Sequence, residues 1–133
     1  MKRALSLLVG LLLVAGMTLG APAPASAQKE IVLGLQCDRT GATQLVGVNL
    51  CPGYHDYVNL VNSKGGVEGH KLRVLEIDHE YKVPQGMEAY ERHKKEGAVL
   101  IGIYGTPHTQ ALTQKLTEDK IPGTSPGFGT EGT

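Results

Sequence analysis

The sequence predicts an α/β fold with a doubly wound parallel sheet, and three observations lead to that prediction. Short apolar segments typical of strands alternate with longer segments that have helical periodicity. The connections between successive strands are too long for β-hairpins. The first apolar segment is apolar throughout, as expected for a strand that is covered on both faces of a sheet. The resulting order, β-α-β-α-β-α-β, implies right-handed crossovers.

The first strand is predicted over residues 31–35, which read Ile-Val-Leu-Gly-Leu. A helix is predicted to follow over about residues 49–63, and Gly65 and Gly66 should end it because glycine adopts the left-handed conformation freely. Pro52 fits that helix only in its first turn, where a missing N–H costs nothing. The side chains that recur at helical spacing, and that should face the sheet, are Tyr54, Tyr57, Val58 and Val61.

The rest of the chain repeats the alternation of strand and helix. The remaining strands are predicted over residues 71–77, 98–101 and 121–125. The remaining helices are predicted from Pro84 to about Lys95 and from Thr106 to about Lys120. The residues expected on their inner sides are Met87, Tyr90, Ala111, Leu112 and Leu116. Ligands of such sheets bind outside the carboxyl ends of the strands, so the loops there are the candidate binding region.

The first 27 residues have the three parts of a secretory signal peptide. Lys2 and Arg3 supply the positive start, an uncharged apolar stretch follows, and residues 25–27 form an Ala-Ser-Ala cleavage site. We therefore expect cleavage before Gln28, a mature domain over residues 28–133 and a periplasmic location. A retained membrane anchor is the alternative, but the apolar stretch is short for a transmembrane span of about 20 residues.

Charge and cysteine content limit the classes of function. Once Lys2 and Arg3 leave with the signal peptide, the 13 acidic residues outnumber the basic ones by two. That balance gives no basic surface for nucleic acid or for an anionic membrane. Cys37 and Cys51 are the only cysteines. In an exported protein they suggest a disulfide, with two unpaired thiols as the alternative, and their spacing does not match a metal-binding pair.

The best candidate binding site is the segment Gly105–Thr109, at the start of the third helix. Thr106 is predicted as the N-cap and Pro107 as the next residue, because both types are favoured in those positions. The N–H groups of His108 and Thr109 should then point outward at the positive end of the helix dipole, where a carboxylate or another polar acceptor binds. Gly105 should let a ligand approach the backbone closely. A helix cap without a ligand is the alternative.

Two other loops contribute candidate ligand-binding residues. After the fourth strand, two hydroxyls, a permissive backbone and one aromatic ring are offered by Ser125, Phe128, Gly129 and Thr130. A turn-rich loop is the alternative for that segment. After the first strand, Arg39 is predicted to pair with an anionic ligand, and an ion pair with Asp38 is the alternative.

No motif in the sequence indicates an enzyme. Asp78, His79 and Glu80 resemble a metal cluster, but adjacent residues on an extended chain point to opposite faces and cannot all bind one ion. The chain has no GxSxG, P-loop or HExxH pattern. We therefore expect no catalysis, no metal and no cofactor. Three other histidines, expected on the surface, are His55, His70 and His93.

Three ordered segments carry a family resemblance. The most specific is residues 62–72, Asn-Ser-Lys-Gly-Gly-Val-Glu-Gly-His-Lys-Leu, between the first helix and the second strand. The other two are Ile101-Gly102 with the Thr106 loop, and Lys120-Ile121-Pro122 leading to Ser125-Pro126-Gly127. In this order they resemble the N-terminal lobe of branched-chain amino-acid-type periplasmic binding proteins, the solute receptors of ABC importers. The resemblance covers about residues 30–133, and the second lobe of that family is missing.

The resemblance implies a function and residue roles. Thr106, with Thr109 beside it, would bind the carboxylate of the ligand, and the segment from Ser125 to Thr130 would contact its polar head. An amino acid or a related small carboxylate or amide would be captured between two lobes, and a membrane permease would recognise the closed form. Pro107 and His108 replace residues that are often small in the family, so leucine-type specificity does not follow.

Two other functions fit the same residues. An exported ligand sensor of this fold would dock on a signalling protein instead of a permease. A small exported α/β hydrolase is the alternative from a different class, and turnover of a carboxylate or amide would distinguish it from a binding protein.

Overall fold

The computed structural model describes residues 30–126, which alternate between strand and helix. In chain order the elements are β1 (Ile31–Cys37), α1 (Gln44–Ser63), β2 (Leu72–Asp78), α2 (Val83–Lys95), β3 (Leu100–Gly102), α3 (Thr106–Asp119) and β4 (Gly123–Thr124). This is the predicted β-α-β-α-β-α-β order. Across residues 30–126, no helix has both the length and the apolar character needed to cross a membrane. The signal peptide predicted over residues 1–27 lies outside the described residues.

The four strands pair in parallel, in the order β2-β1-β3-β4. β1 pairs with β2 over its whole length, from Ile31 to Cys37, and with β3 through Leu33, Gly34 and Leu35. The chain adds β2 on one side of β1 and then β3 and β4 on the other side. A topological switch point therefore lies between the carboxyl ends of β1 and β3. The predicted doubly wound α/β fold is confirmed.

Helices cover both faces of the sheet. On the face of α2 and α3, the main core consists of Val32, Tyr90, Ala98, Ile101, Ile103 and Leu112. On the face of α1, a smaller core consists of Leu35, Cys37 and Cys51. Because successive strand residues point to opposite faces, the apolar side chains of β1 serve both cores. The predicted inward positions of Met87, Tyr90, Leu112 and Leu116 are confirmed.

Helix α1 differs from its prediction in length and in its buried face. It begins at Gln44, so Pro52 lies in the helix interior instead of the first turn. Proline removes the N–H that would bond to the carbonyl of Val48, and Val48 is exposed, so solvent can satisfy that carbonyl. Tyr57 is 67% exposed and does not face the sheet. The buried residues of the helix are Gly47, Cys51 and Val58. Gly47 and Cys51 are not large apolar residues, so the sequence pattern does not mark them as part of a buried helix face.

His93 is fully buried, which contradicts its predicted surface position. It faces the sheet from α2 above Gly34, where a Cβ atom would lie 2.8 Å from His93 Nδ1. The missing side chain of that glycine therefore makes room for the ring. Burial lowers the pKa of His93 to about 4, with a small opposing effect of the Leu75 backbone. The imidazole is accordingly neutral in the folded chain at pH 7.

Candidate functional site

The carboxyl ends of β1 and β3 form the edge at which doubly wound sheets bind ligands. Two loops leave this edge side by side. The first rim loop (residues 38–43) follows β1, and the second rim loop (residues 103–105) follows β3. The Tyr104 hydroxyl in the second loop lies 3.4 Å from the Thr43 carbonyl oxygen in the first. Each rim loop leads into a helix, so the positive ends of two helix dipoles open onto this edge.

The second rim loop turns into α3 at Gly105. Its φ of 104° lies in the region that favours glycine, and its carbonyl accepts the N–H of Thr109 at 3.0 Å. Gly105 is therefore the N-cap, whereas the sequence predicted Thr106. Because the N-cap lies one residue earlier than predicted, the N–H of Thr109 forms a hydrogen bond within the helix. The first-turn N–H groups without a helical partner are those of Thr106 and His108.

Four of the predicted ligand-binding residues come together at this helix start: Gly105, Thr106, Thr109 and Ser125. Thr109 Oγ1 lies 3.1 Å from the carbonyl oxygen of Gly105 and 3.0 Å from Ser125 Oγ, so it ties α3 to the segment after β4. Because the N-cap is Gly105, no side chain caps the start of α3. The other predicted residues of this group, Phe128, Gly129 and Thr130, lie outside the described residues.

Arg39 is not part of that group. Its guanidinium forms a two-pronged ion pair with the Glu76 carboxylate on β2, through Nε and through Nη2 at 2.8 Å, and His55 Nε2 lies 2.6 Å from the same carboxylate. The hydrogen bonds from Arg39 hold the pKa of Glu76 below its ordinary value against the opposing effect of burial. Because β1 separates β2 from β3, this ion pair lies on the far side of β1 from Thr106. The alternative pairing of Arg39 with Asp38 is wrong.

Asp38 instead folds the first rim loop onto itself. Its buried carboxylate accepts the backbone N–H and the hydroxyl of Thr43, both at 2.6 Å, and the N–H of Gly41. Burial raises the pKa of Asp38, but these hydrogen bonds outweigh it and leave the pKa below the ordinary value. A Cβ atom on Gly47 would lie 1.7 Å from the Asp38 carbonyl oxygen, so α1 meets the loop at a glycine.

Two further links hold the first rim loop. Asp78, the last residue of β2, accepts the N–H of Arg39 at 3.1 Å and the hydroxyl of Thr40 at 2.8 Å. A disulfide joins Cys37 at the end of β1 to Cys51 in α1, with a Cα–Cα distance of 6.3 Å. Both cysteines are fully buried. The loop is therefore fixed by covalent and ionic contacts within the chain.

A cluster of four rings lies at the second rim loop and includes Tyr104 of that loop; sequence reasoning missed it. Its members are His79, Tyr81, Tyr104 and His108. The imidazoles of His79 and His108 stack with ring centroids 4.0 Å apart and planes 7° apart. Tyr81 meets His108 edge to face at 5.3 Å, and Tyr104 lies 6.1 Å from both His79 and Tyr81.

The hydrogen bonds of His79 define its protonation. Its Nδ1 accepts the backbone N–H of Tyr81 at 3.0 Å, so Nε2, 2.9 Å from the Tyr104 carbonyl oxygen, carries the proton and donates it there. Burial lowers the pKa of His79 and of His108. The ring nitrogens of His108 make no hydrogen bond of normal geometry, although the Lys82 backbone slightly favours its charged form. Both rings are therefore neutral.

One signal in the sequence points to this ring cluster. Each of its members lies within a few residues of the carboxyl end of β2 or β3. Recognising the cluster also requires the strand order, because β2 and β3 are not neighbours in the sheet. Within residues 30–126, no group of His, Cys, Asp and Glu side chains could hold a metal ion.

Comparisons with known proteins agree with this geometry. A family model described as "Periplasmic binding protein" matches residues 30–133. No curated protein sequence matched. A solved fatty acid ABC transporter substrate-binding protein from Thermomonospora curvata is 26% identical, with a TM-score of 0.70 over 74% of this chain and 25% of that protein. An ABC transporter substrate-binding protein from Aeropyrum pernix is 27% identical, with a TM-score of 0.68 over 73% of this chain and 27% of its own.

A third structure shares the fold. It is the branched-chain amino acid transporter substrate-binding protein of Streptococcus pneumoniae in complex with isoleucine, 19% identical, with a TM-score of 0.68 over 74% of this chain and 29% of that protein. The chain thus spans about a quarter of the length of the solved proteins that it matches. The family and these three structures are binding proteins, not enzymes.

Proposed function

The chain belongs to the periplasmic binding protein family, and from that premise we propose that it is the N-terminal lobe of an exported protein that binds a small solute without transforming it. The solute is an amino acid or a related small carboxylate or amide, and the receiving partner is the membrane permease of an ABC importer. Residues 1–27 act as a cleaved signal peptide, and residues 28–133 form the lobe in the periplasm.

The observation that carries this proposal is the group of donors at the start of α3. The first-turn N–H groups of Thr106 and His108 lie at the positive end of a helix of 14 residues. The hydroxyls of Thr109 and Ser125, 3.0 Å apart, stand beside them. A carboxylate is stabilised by such N–H groups and by the helix dipole, and the Thr106 hydroxyl can donate to its second oxygen.

The contrast with the first rim loop supports the same assignment. Asp38 and Asp78 use the polar groups of that loop internally, and Glu76 neutralises Arg39. A ligand would therefore find few unsatisfied donors there. At the second rim loop a ligand carboxylate would gain hydrogen bonds without breaking an ion pair, which makes binding there less costly.

Capture between two lobes is part of the same proposal. Thr106 and Thr109 are half-buried and Ser125 is exposed, and a ligand that contacts only these residues would keep much of its surface in water. Good binding sites bury about 70–90% of a small ligand. A second lobe that closes over the edge by a hinge would supply the remaining contacts, and the closed form would be the one that the permease recognises.

The test is calorimetric titration of the full-length protein with a panel of amino acids, carboxylates and amides. Thr106→Ala should weaken carboxylate binding by about 1–3 kcal/mol, or roughly 5- to 150-fold, because it leaves a buried ligand oxygen without its donor. Thr117→Ala is the matched control, since Thr117 is exposed and bonds only within α3, to the Thr113 carbonyl. Equal affinities of the two variants and the wild type would contradict the assignment of Thr106.

A further inference from the structure

Tyr81 reaches the candidate site from a strand that does not border it. It lies in the β2–α2 loop (residues 79–82), and β1 separates β2 from β3 in the sheet. Nevertheless its ring touches the second rim loop: a Cβ atom on Gly105 would lie 2.8 Å from Tyr81 Cε2. The β2–α2 loop therefore crosses the carboxyl end of β1, and it brings Tyr81 to the switch point where ligands of such sheets bind.

The backbone of the β2–α2 loop holds Tyr81 in that position. Glu80 and Tyr81 have φ values of 53° and 57°, in the left-handed region that non-glycine residues rarely adopt. The strain is offset by two hydrogen bonds: the N–H of Tyr81 donates to His79 Nδ1 at 3.0 Å, and the N–H of Lys82 donates to the His79 carbonyl at 2.8 Å. Strained residues held by their surroundings in this way concentrate at functional sites.

We propose that Tyr81 is a specificity-determining residue of this site and that the preferred ligand is a carboxylate that carries an aromatic ring. This inference rests on the proposed function, because it assumes that the carboxylate binds at the start of α3. A small ligand bound there would meet the Tyr81 ring if it extended over Gly105, because that ring lies against the glycine. Tyr81 is half-buried, so part of its ring remains available for contact.

An aromatic substituent of the ligand fits the Tyr81 ring better than an aliphatic substituent of the same size. Tyr81 already takes part in edge-to-face contacts with His108 and Tyr104, at interplanar angles of 62° and 73°. A ligand ring would extend the same arrangement, and aromatic pairs gain attraction beyond that of their buried area. Burial lowers the pKa of His108, so its imidazole contributes to this ring cluster as an aromatic ring. The charged neighbours of Tyr81 in the chain, Glu80 and Lys82, pair with each other at 2.6 Å.

Phenylacetate and cyclohexylacetate test this inference, because they share the carboxymethyl group and a six-carbon ring, and only the ring of phenylacetate is aromatic. Calorimetric titration of the full-length protein should give an affinity for phenylacetate about 2- to 10-fold higher than for cyclohexylacetate, the range expected for one aromatic pair. Tyr81→Leu should abolish the preference, and Tyr81→Phe should keep it. Both variants retain a Cβ atom and hence the same backbone strain, so melting temperatures can establish that they fold alike. Tyr57→Leu, on the exposed face of α1, is the matched control and should bind as the wild type does.

The outcomes separate this inference from the proposed function. If phenylacetate binds with a dependence on Thr106 but Tyr81→Leu leaves the ring preference unchanged, the role of Tyr81 is wrong and the carboxylate site stands. If cyclohexylacetate binds as well as phenylacetate, or neither binds, the aromatic class is wrong. If neither compound binds, the proposed function still stands when Thr106→Ala weakens the binding of another carboxylate. If no compound of the panel binds, both the proposed function and the role of Tyr81 are rejected.

Discussion

The two rim loops occupy equivalent positions after β1 and β3, yet their polar groups are used in opposite ways. In the first rim loop, Asp38 accepts three hydrogen bonds from its own loop, and a disulfide anchors the chain on either side. In the second rim loop, Gly105 starts a helix whose first-turn donors are not consumed within that helix. The polar groups of the first rim loop are satisfied internally and stabilise the fold, whereas the first-turn N–H groups of Thr106 and His108 are the ones that we propose bind a ligand.

The largest expected effect that tests this contrast is loss of the disulfide. Replacing both Cys37 and Cys51 with alanine should lower the free energy of unfolding by about 3 kcal/mol, since the bond closes a loop with a sequence separation of 14 residues. Urea unfolding of the oxidised wild type and the double variant measures the difference. A change below about 1 kcal/mol would mean that the first rim is held mainly by its ionic contacts.

The next effect concerns the carboxylate that folds the first rim loop. Asp38→Ala should destabilise the protein by about 2 kcal/mol at pH 7, because charge-assisted hydrogen bonds contribute about 1.5–3 kcal/mol and their donors would be left unsatisfied. Asp56→Ala is the control, since Asp56 is exposed on α1 and should change stability by less than about 0.5 kcal/mol. Similar unfolding midpoints in urea for the two variants would refute the structural role of Asp38.

As the pH falls, the contribution of His108 to the free energy of unfolding should be lost before that of Asp38 in the first rim loop. Unfolded histidine takes up a proton near pH 6.5, whereas burial lowers the pKa of His108 in the fold, so stability is complete above pH 6.5 and falls as the pH drops below it. The pKa of Asp38 also lies below its ordinary value despite burial, because of hydrogen bonds from Thr43 and Gly41. Its contribution is therefore retained until the pH falls below about 3.8 and through the lowered pKa.

His108→Phe tests that order, because phenylalanine keeps a ring in the stack but binds no proton. Below pH 6.5 the variant should lose stability more slowly than the wild type, by up to about 1.4 kcal/mol per pH unit. Urea unfolding between pH 7.5 and 4.5 measures both slopes. His93 acts in the same direction, with a pKa of about 4, so a residual slope remains in the variant. Identical slopes would show that His108 is not protonated on unfolding in this window.

Much of the fold could be predicted from the sequence because its strands are marked locally. The continuous apolar residues of β1 and the glycines after α1 need no tertiary information. On α1 the predicted inward positions of Tyr54 and Val58 are confirmed. The rest of its buried face could not be predicted, since Gly47 and Cys51 define it by close approach and by a disulfide, not by apolar area. His93 was misplaced for a similar reason, because the space it fills is created by Gly34 on a different element.

The candidate site could be predicted from the sequence only where it depends on one element. The start of α3 carries its own signals, so Thr106 and Thr109 could be proposed as ligand-binding residues, and that assignment stays a prediction; the N-cap, however, is Gly105. Arg39 was assigned to the ligand because its partner, Glu76, is distant in sequence and close only through the pairing of β1 with β2. The approach of Tyr81 to Gly105 could not be predicted, because it depends on the strand order β2-β1-β3.

The smallest expected effect comes from two threonines at corresponding helix starts, Thr43 before α1 and Thr106 in α3. Thr→Val removes the hydroxyl and keeps the branched shape of the side chain. Thr43→Val should cost about 1 kcal/mol of stability, because its hydroxyl donates to Asp38 at 2.6 Å. Thr106→Val should change stability by less than about 0.5 kcal/mol, since the N-cap of α3 is Gly105 and not Thr106, while it should weaken carboxylate binding. Urea unfolding and calorimetry on the same pair give all four values. If Thr106→Val destabilised the fold as much as Thr43→Val, the two rims would be built alike, and the hydroxyl of Thr106 would be structural instead of reserved for a ligand.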